Sequence, residues 1–441
     1  MTPETQPAAP IAVPIPVPFN AWAAQTNRLF YKNLDEPLRA FRTLGSADPL
    51  LPRAFAESLL RDNTVPPHVH EVGSGNFFFA REVLRNAPSL SAYRAHDFSS
   101  SSFDAYRETL PAQLSFNQCS ALQVRQQIQE AGAHIVGVEL LDDLSNEYWS
   151  RWAGTPVEMW MDIAVDPRLH LPARTSSERF KVGVQTDGDA HGTLPPLTAQ
   201  LLSELIGTAQ WETLNDYNPG LLKALHYGTR QFFPLELSSI FEKGWRMLPP
   251  EFRSTGEEIL DAYRKQLETI TENGQTIVHL PTAAIAMLWQ CRDLARPAKI
   301  HFFDYGYERP EESPAAFMTF QGQVSTPVNF GILKTAAELM GYKVTLEKDR
   351  EFIQRVTGED TLILARVLGL DLHIFGEDAE TTFLLHFFEE AARDLCPTAE
   401  VNESTIRGLR VRRSAVDAVA AELKREYSYR DGSFYFCAEL A

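Results

Sequence analysis

Along most of the chain, short apolar runs alternate with segments of helical periodicity, and glycine or proline clusters separate them. Strands are expected at HVHEV before Gly73, LSAYRAHDF (Leu90 to Phe98), LSFNQCSAL (Leu114 to Leu122) and AHIVGVE ending at Glu139. The same reading places later strands of that sheet at TIVHL ending at Leu280, AKIHFFDYGY ending at Tyr307, YKVTLE ending at Glu347 and the terminal GSFYFCAEL. Helical patterns lie between them. One begins at Phe77 and runs to about Asn86, and a serine-rich turn and helix follow Phe98. Thr255 and Glu258 form a capping box for TGEEILDAYRKQLETITENG, with Gly274 at its end. Pro281 opens PTAAIAMLWQCRDLARP, and Asn329 and Gly341 suit the two ends of a further helix. Strands and helices alternating this way predict an α/β fold around a mostly parallel sheet.

The pattern also divides the chain. Residues 1–20 form a Pro/Ala-rich tail that favours extended polyproline II, and 21–64 an N-terminal helical cap. The core takes 65–150 and 275–348. Residues 151–274 are a mixed α/β insertion facing the substrate, and 349–441 a helical insertion that ends in the last core strand. Within the first insertion, VEMWMDIAVD (Val157 to Asp166) and FKVGVQTDG alternate strictly and predict a small antiparallel ribbon. Trp160, Trp211 and Trp245 are read as core residues, and Arg407, Arg410, Arg412 and Arg413 as a solvated helix face.

Composition narrows the function classes. The 441 residues are 44% hydrophobic and 22% charged, an ordinary globular balance that allows more than one module. No apolar run approaches the ~20 residues that span a bilayer, so no membrane partner is expected. A net charge of −17 argues against nucleic acid and would suit a basic protein partner, or serve only to keep the chain soluble. Four scattered cysteines without a C-x-x-C pair fit reduced thiols of a cytoplasmic protein. His191 stands among acids at irregular spacing, a poor metal case, and no metal is expected. The oligomeric state is open.

The candidate chemistry centres on HVHEVGSGNFFFAREVL, His68 to Leu84. Gly73 and Gly75 bracket Ser74 in a turn that lets a ligand approach bare backbone at the positive end of a helix. A dinucleotide fingerprint needs a third glycine where Phe78 stands, and a P-loop needs a Gly-Lys-Ser/Thr that is absent. Asp97 follows Gly75 by 22 residues at a strand end, where a carboxylate can accept bonds from a ribose diol; a solvated strand-end aspartate is the alternative. Glu139, Asp142 and Asp143 crowd the end of another strand, where open parallel sheets bind ligands. One of the two aspartates is expected to cap a following helix, leaving Glu139 for function. Near Tyr307, Gly306 is expected to permit a turn, and Tyr305 offers a hydroxyl and a ring at the same edge or serves a structural role.

The E-x-G-x-G of Glu71, Gly73 and Gly75 resembles the first motif of class I S-adenosylmethionine (SAM) methyltransferases, although Phe77 stands where many members carry a third glycine. VELLDD and DYGYERP, with the following VNF, resemble segments of the MidA family, which includes the mitochondrial complex I assembly methyltransferases. Val138 stands where that family commonly has Asn, and Glu308 and Arg309 precede Pro310. The resemblance implies a Rossmann-like, seven-stranded sheet whose last strand inserts antiparallel beside the fifth. It implies SAM as cofactor, its amino-acid end held by Glu71, Gly73, Ser74 and Gly75, its ribose by Asp97, and its adenine near Gln118 or Ser120. It further implies methyl transfer to an arginine of a partner protein, with Glu139 and then Asp142 as catalytic carboxylates and Tyr305 at the substrate. A small-molecule N- or O-methyltransferase, a non-catalytic SAM-binding assembly factor and a dehydrogenase are the alternatives.

Overall fold

The computed structural model describes residues 14–18, 23, 27, 50–62, 67–144, 146–152, 154–164, 230–234, 248–270, 277–312, 318–320, 323–358 and 433–440. FKVGVQTDG, His191, Trp211, Trp245, Gly274, the four C-terminal arginines and most of the expected C-terminal helices lie outside them. Strand β1 (Pro14–Pro18) precedes α1 (Leu50–Asp62), and alternation then sets in with β2 (His68–Val72), α2 (Phe78–Asn86), β3 (Ala92–Asp97), α3 (Ser101–Tyr106), β4 (Leu114–Gln118) and β5 (His134–Val138). Next come β6 (Glu147–Trp152), β7 (Thr155–Ala164), β8 (Arg230–Pro234), α4 (Phe252–Thr269), β9 (Val278–Leu280), α5 (Thr282–Cys291) and β10 (Ala298–Tyr307). The hairpin β11 (Met318–Phe320) and β12 (Gln323–Ser325) leads to β13 (Val328–Asn329), α6 (Phe330–Leu339), β14 (Lys343–Lys348), α7 (Asp349–Thr357) and β15 (Ser433–Leu440).

The main sheet runs β14-β15-β10-β5-β2-β3-β4, with short β13 added to β10. Within this row β15 pairs antiparallel with both neighbours and the remaining pairs are parallel, so the chain forms the expected α/β, Rossmann-like, seven-stranded sheet. Its strands read as apolar runs because both faces are covered. On β10, Ile300 and Phe302 face one side with α4, α5 and α6, and Phe303 faces the other with α1, α2 and α7. Leu51, Phe55 and Leu59 of α1 recur at helical spacing and bury against Phe79 and Val83 of α2. At α6 the expected cap is present: Asn329 accepts the Ile332 N–H at 3.1 Å. Gly341 follows at φ +90°.

The structure corrects several local expectations. Within TIVHL, Val278–Leu280 form β9, but this strand pairs with β6 in a second sheet, β1-β7-β6-β9 with β8 beside β7, and among the described residues does not join the main sheet. Of the alternating segment Val157 to Asp166, the described part to Ala164 lies in β7, whose described partners are β1, β6 and β8. The proline segment, expected as polyproline II, pairs antiparallel as β1. Pro14, Pro16 and Pro18 share one parity, so their missing N–H groups fall on one edge and Ile15 and Val17 keep donors on the other. Helix α4 starts three residues before Thr255, because the Pro249 and Pro250 carbonyls already accept the Phe252 and Arg253 N–H groups. Thr255 is therefore inside the helix, not at its cap. Gly306 makes no turn. It lies within β10, where an added Cβ would stand 2.0 Å from the Val328 oxygen, so glycine is needed for the approach of β13.

Candidate functional site

Strand β2 ends in a turn with Gly73 at φ +74° and Gly75 at φ +49°. The Gly73 and Ser74 N–H groups donate to the His96 carbonyl at 2.8 and 3.4 Å, which ties the turn to the end of β3. The Gly75 N–H donates to Asp97 Oδ2 at 3.2 Å, and the Ser99 N–H to Asp97 Oδ1 at 3.0 Å. The turn and Asp97, linked in the sequence by their spacing alone, are thus joined by a direct bond. Helix α2 begins at Phe78, one residue late, because Phe77 takes φ +59° in the left-handed region that glycine favours. That conformation costs a non-glycine residue about 1–2 kcal/mol. Burial of the ring against Phe103 and Phe116 opposes the cost.

The groups around this turn are short of water. Glu71 is buried and accepts the Tyr93 hydroxyl at 3.1 Å; burial pushes its carboxyl up to about 8. Burial also raises Asp97, against the N–H bonds from Ser99 and Gly75. Ser74 Oγ is buried with no hydrogen-bond partner. At the end of β4, which is next to β3, Gln118 Nε2 donates to the Phe98 carbonyl at 3.0 Å and the Ser120 N–H to Gln123 Oε1 at 3.2 Å. Glu71, Gly73, Ser74, Gly75, Asp97 and Ser120 therefore gather along the carboxyl ends of β2, β3 and β4.

The chain order reverses between β2 and β5, the place where such sheets bind ligands. Glu139 follows β5 at φ +47°, its N–H on the Phe303 carbonyl at 2.8 Å. Leu140 then fills the space beside two glycines: a Cβ on Gly137 or Gly73 would come within 2.8 or 2.9 Å of its methyl carbons. This contact joins the carboxylate turn to the glycine turn. Among the described residues no helix follows Asp143 before β6, so neither aspartate has the expected helix to cap. Asp142 Oδ2 instead accepts the Ser325 hydroxyl at 2.5 Å, and Ser325 Oγ is 3.1 Å from the Tyr305 hydroxyl. Asp304 Oδ2 accepts the Leu141 and Asp142 N–H groups at 2.7 and 3.2 Å. Thr326 Oγ1 donates to the Asp142 carbonyl, and Asn146 Nδ2 to Thr326 Oγ1.

Carboxyls crowded in this way hold protons tightly. Burial first, then the charges of Asp143 and Glu139, push Asp142 well above the usual carboxylate range. Burial and the neighbouring Asp142 and Glu139 do the same to Asp304. Tyr305 is raised by burial and by Asp142. Sequence reasoning placed Glu139, Asp142 and Tyr305 at this edge but assigned nothing to Asp304 or Ser325. Asp304 stood inside the quoted DYGY segment, and Ser325 lay just before VNF without a spacing to mark it. Among the described residues no group of His, Cys, Asp or Glu is placed to hold a metal ion. None of the described helices is long and apolar enough to cross a membrane.

No family model and no curated protein matches the chain in sequence. Among solved structures, a COG1565 superfamily member from Burkholderia thailandensis bound to S-adenosyl-homocysteine is 13% identical over 96% of this chain and 88% of its own, with a TM-score of 0.49. A native structure of a COG1565 superfamily protein from the same organism matches at 13% identity over 96% of this chain and 87% of its own, TM-score 0.49. A DhpI–SAM–HEP complex matches at 10% identity over 74% of this chain and 92% of its own, TM-score 0.30.

Proposed function

We propose that this protein is a SAM-dependent methyltransferase whose acceptor is a nitrogen, an arginine of a partner protein. The observation that carries the reading is the bonded pair of Gly75 N–H and Asp97 carboxylate beside the buried, unpartnered Ser74 hydroxyl. An orphaned polar atom at a glycine turn fits a polar ligand group. In this reading Glu71, Gly73, Ser74 and Gly75 hold the amino-acid end, Asp97 the ribose diol and Ser120 the adenine side. A cationic amino group brought beside Glu71 would favour its charged form and lower the proton affinity that burial has raised.

When bound, SAM supplies a methyl group already activated by its sulfonium. The chain's own task is to align the acceptor and exclude water, and such orientation is worth on the order of 7–11 kcal/mol. Glu139 orients the guanidinium or takes its proton, since a carboxylate grips a guanidinium through paired charge-assisted bonds. Asp142 is second, and serves so only once it has released the proton that burial holds on it. Asp304 fixes the backbone of the carboxylate turn, and Tyr305 stands at the acceptor side. The net charge of −17 suits a basic protein acceptor. Val138, where the resembling family commonly has Asn, favours a small-molecule N- or O-methyltransferase as second reading.

The test is to incubate the purified protein with methyl-labelled SAM and a cell extract, then hydrolyse the protein fraction. Label in methylated arginine is expected. Label confined to small molecules would move the assignment to the second reading, and no transfer at all would leave an assembly factor.

A further inference from the structure

Asn27 lies far along the chain from the carboxylate turn, yet its amide is built into it. Its Nδ2 donates to the Val324 carbonyl at 2.6 Å, and sits 3.0 Å from Asp143 Oδ1 and 3.3 Å from the Asp143 carbonyl. Its Oδ1 accepts the Val324 N–H at 2.7 Å. Toward Val324 the side chain thus offers one donor and one acceptor, as a neighbouring strand would. Val324 is paired in the hairpin with Thr319 as well. Asn27 is 4% exposed, and both ends of its amide are engaged.

The two residues that Asn27 grips are the chain neighbours of Asp142 and Ser325. Those two share the 2.5 Å bond, and Ser325 Oγ also reaches the Tyr305 hydroxyl. We propose that Asn27 is a positioning residue: it clamps Asp143 and Val324 so that Ser325 is held between Asp142 and Tyr305. An amide is suited to this, because each loop presents backbone or carboxylate groups that a single short side chain can satisfy together. The significance for acceptor alignment rests on the methyltransferase reading; the clamp itself is testable without turnover.

The groups that face Asp142 are Glu139 and Asp143 on its own turn, Asp304 and Tyr305 from β10 and the Ser325 hydroxyl from β12. Of these, Ser325 favours the charged carboxylate, so loosening it moves the Asp142 titration upward. The experiment follows the infrared carboxyl band of Asp142 with pH, isolated by difference against Asp142→Asn, in parallel with calorimetric binding of S-adenosylhomocysteine. Asn27→Ala is expected to shift the Asp142 midpoint upward in the same sense as Ser325→Ala, with S-adenosylhomocysteine affinity unchanged. The double variant is expected to shift no further than Ser325→Ala alone, since both act on one bond. If Asn27→Ala does not fold, Asn27→Ser, which cannot span both loops, is expected to give the same upward shift. A folded Asn27 variant with the parent's midpoint, or single shifts that add in the double variant, would overturn the proposal. Failure of the parent to bind S-adenosylhomocysteine would instead count against the methyltransferase reading and leave the infrared result to decide the clamp.

Discussion

Glu71 offers a prediction that can be worked through in numbers. It is 2% exposed on β2, and burial, with a smaller push from the charge of Asp97, raises it from 4.5 to about 8 despite the Tyr93 hydroxyl bond. Below its unfolded value Glu71 is protonated in both states and affects stability equally. As pH rises from there, the unfolded chain releases the proton while the folded chain keeps it, so stability falls by roughly 1.4 kcal/mol per pH unit. The fall levels off only near the folded value. Between the unfolded value and pH ~7 the loss is therefore on the order of 3 kcal/mol. Glu71→Gln cannot ionise but keeps an oxygen for Tyr93. Its new amide donor adds a burial cost that does not vary with pH. Urea unfolding of parent and variant, without ligand, at a series of pH values across this window is the assay. The variant is expected to gain on the parent by roughly 3 kcal/mol from the acid end to neutrality. A stability difference that stays constant across the window would refute the reasoning, because the other titrating groups are common to both chains.

Asp97→Ala removes the acceptors of the Gly75 and Ser99 N–H groups as well as the proposed ribose contacts. Two charge-assisted bonds to the ribose diol, worth about 1.5–3 kcal/mol each, predict a loss of roughly 100- to 10,000-fold in S-adenosylhomocysteine affinity by calorimetry. At Phe77, Gly should cost less stability than Ala in urea titrations, because only Gly relieves the φ of +59°. Elsewhere Gly is usually the worse residue by roughly 0.5–1 kcal/mol, so the usual order at this position would contradict the strain assigned to it. Gly306→Ala should lower the melting temperature and destabilise by about 1–3 kcal/mol through overpacking, since its Cβ would meet the Val328 oxygen at 2.0 Å. An unchanged melting temperature would mean that β13 yields at no cost.

The parallel core was legible because its strands are buried on both faces and read as unbroken apolar runs bounded by turn residues. The same signal in TIVHL gave a strand but not its partner, and β9 went to the smaller sheet. Asp97 could be read from its spacing to Gly75, but its direct bond to the Gly75 N–H could not. Phe77 was legible only as a departure from a glycine pattern. It takes the left-handed conformation that glycine favours, with aromatic burial opposing the strain. The capping box at Thr255 lost to the Pro-Pro turn ahead of it, whose carbonyls were already in place. Asn27 was illegible for a different reason: it is 297 residues from Val324, and nothing in the periodicity of either segment predicts the contact.

The proposed SAM site rests on the glycine turn and Asp97. Calorimetric titration of S-adenosylhomocysteine and of NAD into the purified protein tests it most directly. Saturable binding of S-adenosylhomocysteine, with no heat from NAD, is the predicted result. Binding of NAD alone would assign the turn to a dinucleotide, and binding of neither would contradict the cofactor site on which the account is built.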